Sequence, residues 1–403
     1  MSSGADRSRL NEGLADFHTA IFSDLRAFLS ITSNPEETKR RFQALLPLCR
    51  RARITRIGDL TGLDRLGLPV VQAVRPAALS EVTSLGRGLT TAEASMGAIM
   101  ESLERYYAEA IPAERVFLAT AEELEIADGL FDNLVVARSG NWRTKILPWI
   151  AGLDVATGHA LPVPVELVHT RYTDPPPVHD GWFARTTTGL ACHMEARGAY
   201  LHGLFECVER DAIARAFATH GFFDRMRIAV TGLGQRVDHI RAIAEACGIS
   251  FALWHAPSPA GIPVIWCQTI ETGPGEPILA LPTEGYAAGP SVEAAAASAM
   301  LEALAARAGA ISGARDDQTR AHYKRSTEVV VARARELIVA EGSARPIAPA
   351  ALPAFVDSGS LLNGIVAAGL GPVVAVPVGH DRETGVRCVR TVLARAYPFN
   401  VVR

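Results

Sequence analysis

The chain has 403 residues, a formal net charge of -3 and a pI near 6.4, so its overall charge gives no reason to expect nucleic acid. Hydrophobic residues at 48% and charged residues at 21% exclude a disordered or fibrous chain and suit one large domain or two average ones. The N-terminus, MSSGADRSRL, lacks the apolar core of a signal peptide, and no 18-residue apolar span is read later, so a soluble, cytoplasmic protein without membrane contact is expected.

In chain order, two helices are predicted over about residues 8–30 and 35–50, the second capped by Ser33 or Asn34. The basic run KRRFQALLPLCRRARITR spaces Phe42, Leu45 and Leu46 as an amphipathic helix with a solvated charged face. LPVVQAVRP reads as a strand ended by Pro76. In SLGRGLTTAEASMGAIMESLERYYAEAI, Gly86 and Gly88 mark a loop, and Thr90 with Glu93 forms a capping box that starts a helix at about Thr91. Short strands follow in KILPWIAGLDVATG and HALPVPVELV, with a turn at Thr157-Gly158, then a proline-stiffened loop, TDPPPVHDG. A long helix is expected from Glu195 to near Gly221, and an alanine-rich one from Pro290 and Ser291. PVVAVPV and VRCVRTVLA read as strands either side of GHDRETG. This order predicts an α+β (mixed α/β) fold: a helical N-terminal addition over residues 1–52 and one catalytic-type domain over 53–403.

Six cysteines (Cys49, Cys192, Cys207, Cys247, Cys267, Cys388) contain no C-x-x-C pair, so buried thiols are expected, not disulfides or a thiolate zinc site. The sharper signal is a repeat. Glu101, Glu104 and Arg105 in ESLERYYAEA recur as Glu206, Glu209 and Arg210 in ECVERDAIA, each E-x-x-E-R on a predicted helix after a loop rich in small residues. Residues three and four apart share a helix face, so each motif groups two carboxylates beside a guanidinium. Four carboxylates brought together repel one another unless cations offset them. Magnesium suits such hard oxygen donors, and Arg105 and Arg210 suit phosphate, so metal-bridged ATP chemistry is implied if the helices meet. Neither the P-loop G-x-x-x-x-G-K-S/T nor the kinase H-R-D and D-F-G set is present.

Three blocks, GLTTAEASMGAIMESLERYYAE, TTTGLA with LHGLFECVERDAIARAF, and AMLEALAARAGAISGARDD, together resemble the YcaO family in order and content. The resemblance implies a YcaO-type fold that binds ATP and Mg²⁺ and phosphorylates the oxygen of a peptide backbone amide. A nucleophile then attacks, giving azolines, thioamides or amidines. It assigns Glu101, Glu104, Glu206 and Glu209 to metal, and Ser84, Arg75, Arg105, Arg210 and Arg315 to the nucleotide side. Departures from the family pattern are Gly97, Thr188, Met194, Ser298 and Ala305, and a methionine offers magnesium no oxygen. RITRIGDLTGLDRLGLPVVQAVRP resembles members that accompany a TfuA-type partner, so thioamide formation is favoured, with a precursor peptide as substrate. The chain's end, YPFNVVR, lacks the proline-rich tail common in azoline-forming members. A homodimer is an open expectation, and the alternative function is a catalytically weak subunit that binds a partner protein or precursor peptide.

Overall fold

The computed structural model describes residues 14–22, 35–137, 139–274, 278–279, 281–313, 332, 336, 338, 344–347 and 358–399. Among these residues the first elements are α1 (Leu14–Ile21) and α2 (Pro35–Arg51), then β1 (Arg56–Asp59), β2 (Val70–Val74), β3 (Thr83–Arg87) and α3 (Thr91–Glu109). Next come β4 (Val116–Ala119), β5 (Leu147–Asp154), β6 (Ala160–Pro164), β7 (Leu190–His193), α4 (Ala196–Ala218) and the short α5 (Phe222–Arg225). The later elements among the described residues are β8 (Arg227–Ile228), α6 (Gln235–Ala246), β9 (Ile249–His255), β10 (Val264–Glu271), β11 (Thr283–Ala288), α7 (Val292–Ser312), α8 (Ser358–Ala367), β12 (Val373–His380) and β13 (Arg387–Leu393). This is a mixed α+β fold, as expected.

The strands form three antiparallel sheets: β1-β2-β3, β11-β10-β9-β8, and β4-β5-β12-β13-β7 with β6 beside β5. Period-two alternation explains how the third sheet is covered on both faces. Val374, Val376 and Cys388 pack with Ile99 and Leu103 of α3, while Ala375, Val389 and Leu393 pack with Leu201, Leu204 and Val208 of α4. The two E-x-x-E-R helices therefore clasp one sheet from opposite sides. Its β7 edge lies between them.

Close backbone approach sets α3 on its strand. A Cβ at Gly86 would lie 1.8 Å from the Ala94 carbonyl oxygen, so only glycine lets β3 touch the helix. Gly285 plays the same part for α7, where a Cβ would lie 2.1 Å from the Ala299 oxygen. Within SLGRG, Ser84 to Arg87 are accordingly a paired strand, not the loop expected from the glycines: Leu85 is in register with Gln72. Small residues serve contact here, not flexibility.

Some readings shift. Helix α2 buries Leu45, Leu48 and Cys49 against the α3 core and leaves Leu46 exposed. Cys247 is exposed while the other five thiols are buried. One apolar span does exist: an 18-residue window of α7 has mean hydropathy 1.3, but 72% of it is buried among the sheets, as befits a core helix. Ser33, Asn34 and Arg315 lie outside the described residues.

Candidate functional site

Helix α3 starts where the sequence dictates. Thr90 Oγ1 accepts from the Glu93 amide at 3.2 Å, and Glu93 returns the bond to the Leu89 amide at 2.9 Å. Two to three turns on, Glu101 and Glu104 point to different edge strands. β3 ends the first sheet and β7 ends the third, so each presents backbone N–H groups without a ladder partner on its outer side. The Leu85 amide donates to Glu101 Oε2 at 3.1 Å, and the Cys192 amide donates to Glu104 Oε1 at 3.0 Å. Helix α4 repeats the device: the Gly189 amide, just before β7, donates to Glu206 Oε2 at 3.0 Å. One oxygen of each of these three carboxylates is thereby held by main chain.

The arginines differ. Buried Arg105 donates to Ser84 Oγ at 2.7 Å, to the Thr83 carbonyl at 3.3 Å and to Glu101 Oε1 at 3.1 Å, and it also pairs with Glu81. Its role in the fold is to orient Glu101 against β3. Arg210 lies 3.3 Å from Glu209 and 3.6 Å from Glu206, with its guanidinium over the Tyr286 ring at 5.7 Å. Arg75 is buried and donates to Glu109 Oε1 at 2.6 Å, two turns along α3 from Glu101.

The helices do meet electrostatically. Burial, then Glu101 and Glu206, push the Glu104 carboxyl well above the usual carboxylate range. Burial pushes Glu209 up to about 8, with Arg210 opposing and Glu302 and Glu206 adding to the rise. Glu101 and Glu206 are also raised, again chiefly by burial. Glu302 of α7 is a fifth carboxylate in this field, anchored by Arg87 of β3 at 2.6 Å. Beyond it, Glu284 accepts from Gln268 at 3.1 Å and from the Tyr286 hydroxyl.

Such a cluster is short of positive charge, and its donors are all oxygens. That is the chemistry of a hard divalent cation. Among the described residues no three His, Cys, Asp or Glu side chains form a ready-made cage for one ion. A Mg²⁺ that keeps waters and takes phosphate oxygens fits this arrangement better than an all-protein site would.

The structure brings Ser84, Arg105, Arg210 and the four glutamates to one region and places Arg75 in a separate buried pair. Sequence reading passed over Arg87, Glu284, Tyr286 and Arg390, and it gave Glu302 no role in the site. Glu302, on the third block's helix, was the one with a visible signal. Met194 packs half-buried against the apolar cluster around α3. Ser298 and Ala305 lie on α7, and Ala305 is buried beside Leu60 and Val70.

Residues 85–395 match the family model described as YcaO cyclodehydratase, ATP- and Mg²⁺-binding. A protein of Methanothermobacter thermautotrophicus is 31% identical over 296 residues, covering 72% of this chain and 74% of its own. A Rhizobium leguminosarum bv. trifolii protein encoded in the tfuA 3' region is 28% identical, covering 93% of this chain and 88% of its own. Among solved structures, YcaO from Methanopyrus kandleri bound with AMPPCP and Mg²⁺ superposes with a TM-score of 0.68 at 21% identity, over 90% of this chain and 94% of that one. A heterocyclase in complex with substrate and cofactor also reaches 0.68, at 16% identity, over 89% of this chain and 52% of its own. At those identities the structures speak for the fold, and the family match over most of the chain speaks for descent: this protein belongs to the YcaO family.

Proposed function

We propose that this protein uses ATP and Mg²⁺ to activate a backbone amide of a ribosomally made precursor peptide, and that thioamide formation is the outcome. One observation carries the reading: two carboxylate pairs from separate helices share one field, with an oxygen of Glu101, Glu104 and Glu206 each held by a main-chain amide in or just before an edge strand. Glu101, Glu104, Glu206 and Glu209 would hold Mg²⁺, which when bound supplies positive charge to the triphosphate and its transferring phosphoryl group. The edge amides fix one oxygen of three carboxylates, so little reorganisation accompanies binding. Arg105 with Ser84 holds Glu101 in place, and Arg210, backed by Tyr286, faces the phosphate side. Helix α2, within the N-terminal addition proposed over residues 1–52, buttresses α3 through Leu45, Leu48 and Cys49. The relative encoded beside tfuA supports the thioamide outcome and a TfuA-type partner, with azoline or amidine formation as the other products of the same activation.

Calorimetric titration of the protein with ATP, with and without Mg²⁺, tests the core of this reading. Magnesium-dependent binding is expected. No such binding, even with the partner present, favours the second reading, a catalytically weak subunit, for which the apolar packing of Met194 is the supporting observation. Mass spectrometry of the co-expressed precursor peptide separates the products: exchange of oxygen for sulfur marks a thioamide, and loss of water marks ring or amidine closure.

A further inference from the structure

Beside the carboxylates, where β13 passes the Arg185–Thr188 loop, lies a cavity of about 50 Å³ whose wall includes Thr186, Thr188, Cys207, Arg210, Arg390 and Tyr397. That is room for a few molecules of solvent size, a scale that suits a small ion. Two of its wall residues are guanidiniums. Arg390 is 3% exposed and donates to the Thr186 carbonyl at 2.8 Å, yet its Nε and Nη1 have no hydrogen-bond partner among the described residues. Glu206 and Tyr172 feel its charge without accepting from it. Leaving two charge-bearing donors buried and unsatisfied is costly, and a native site keeps such a group when a ligand supplies the acceptor. The remaining wall is threonine side chains, Tyr397, apolar residues such as Leu134 and Val392, and the Cys207 sulfur, which is itself occupied in a bond to the Thr391 carbonyl at 3.2 Å. Two guanidiniums set in a wall that is otherwise neutral and largely apolar suit a small, polarisable, weakly hydrated anion better than a strongly hydrated one.

We propose that this cavity is the site of the attacking nucleophile, and that the nucleophile is hydrosulfide held by Arg390 with Arg210. The assignment rests on the thioamide reading above. The step balances without a further reagent. HS⁻ adds through sulfur to the carbon of the O-phosphorylated amide, forming a C–S bond; the C–O bond to phosphate then breaks, and the S–H proton leaves with the phosphate. Amide, HS⁻ and ATP⁴⁻ thus become thioamide, ADP³⁻ and HPO₄²⁻. Arg390 is a binding residue in this scheme: it raises local nucleophile concentration and favours the deprotonated form by its fixed charge.

Bromide, a monovalent anion of similar size, is the probe. Crystals of the wild-type protein soaked in sodium bromide are expected to give an anomalous peak in the cavity beside Arg390, and crystals of Arg390→Gln are expected to lose it. In turnover with precursor peptide and partner, Arg390→Lys is expected to raise the KM for sulfide about tenfold or more while the KM for ATP stays within about twofold. Ordered bromide only at other positions overturns the pocket whatever the reaction is. A parallel rise in both KM values overturns it too, since that is what a merely structural residue gives. If the wild-type product carries no sulfur, the thioamide reading and the hydrosulfide assignment fall together, and the bromide soak still reports separately whether the cavity takes an anion.

Discussion

Glu104 and Glu209 illustrate how a residue can be costly to the fold and useful to the site. Each is pushed above its ordinary range chiefly by burial, with neighbouring carboxylates adding to it. Glu104→Gln and Glu209→Gln should therefore fold at least as well as the parent by circular dichroism, yet lose peptide modification by two orders of magnitude or more in a mass-spectrometric assay, about 3 kcal/mol of lost stabilisation. Retained turnover in both would show that these carboxylates do not hold the catalytic metal. The sign of the pH effect follows. Because the folded Glu209 binds its proton up to about pH 8, where an unfolded glutamate has released it, the stability it contributes is full at low pH. It drains as pH rises from about 4.5 through about 8. In metal-free buffer Tm should fall across that window, and Glu209→Gln should flatten the fall. A Tm that rises over the same window would contradict the assignment. Arg75 is a different case: Arg75→Ala leaves buried Glu109 without its counter-charge, with only the Leu79 amide and Ser80 hydroxyl as donors, and should cost about 3 kcal/mol in urea unfolding.

At the scale of elements, the site depends on edge strands that are not covered by another strand. β3 and β7 expose amides that a carboxylate can take, and α3 reaches both because Gly86 lets it sit directly on β3. Gly86→Ala forces a methyl into the Ala94 carbonyl and must part strand from helix. A loss of about 1–3 kcal/mol is expected in denaturant unfolding. Because Glu101 is anchored on the neighbouring Leu85 amide, weaker Mg²⁺-dependent nucleotide binding should accompany it. A destabilised variant with unchanged nucleotide affinity would uncouple the two. Helix caps and strand alternation made α3, α4 and α7 legible from residues such as Thr90, Ser291 and Gly221. The same local logic misread SLGRG, since glycine in a loop and glycine under a helix look alike until the helix is placed.

For the whole molecule, three sheets and three long helices converge on one field in which Glu101, Glu104, Glu206, Glu209 and Glu302 outnumber the guanidiniums of Arg87, Arg105 and Arg210. Magnesium with a nucleotide should therefore stabilise the fold through linkage. At a nucleotide concentration one hundred times its dissociation constant the gain is about 2.7 kcal/mol, read as an upward Tm shift that vanishes with EDTA. A shift produced equally by nucleotide alone would argue that the carboxylates are not where the metal acts.

The sequence by itself determined the paired carboxylates, the helices that carry them and the family, because E-x-x-E-R spacing, caps and block order are local patterns written within a few turns of chain. The tertiary structure alone decided which groups they meet. Glu302 reaches Arg87 across 215 residues, and Arg390 lines the cavity beside Arg210 from a strand that reads as plain core. Those encounters depend on how sheet edges are brought together by burial of both faces of β12 and β13, a long-range outcome of packing that leaves no mark at either residue.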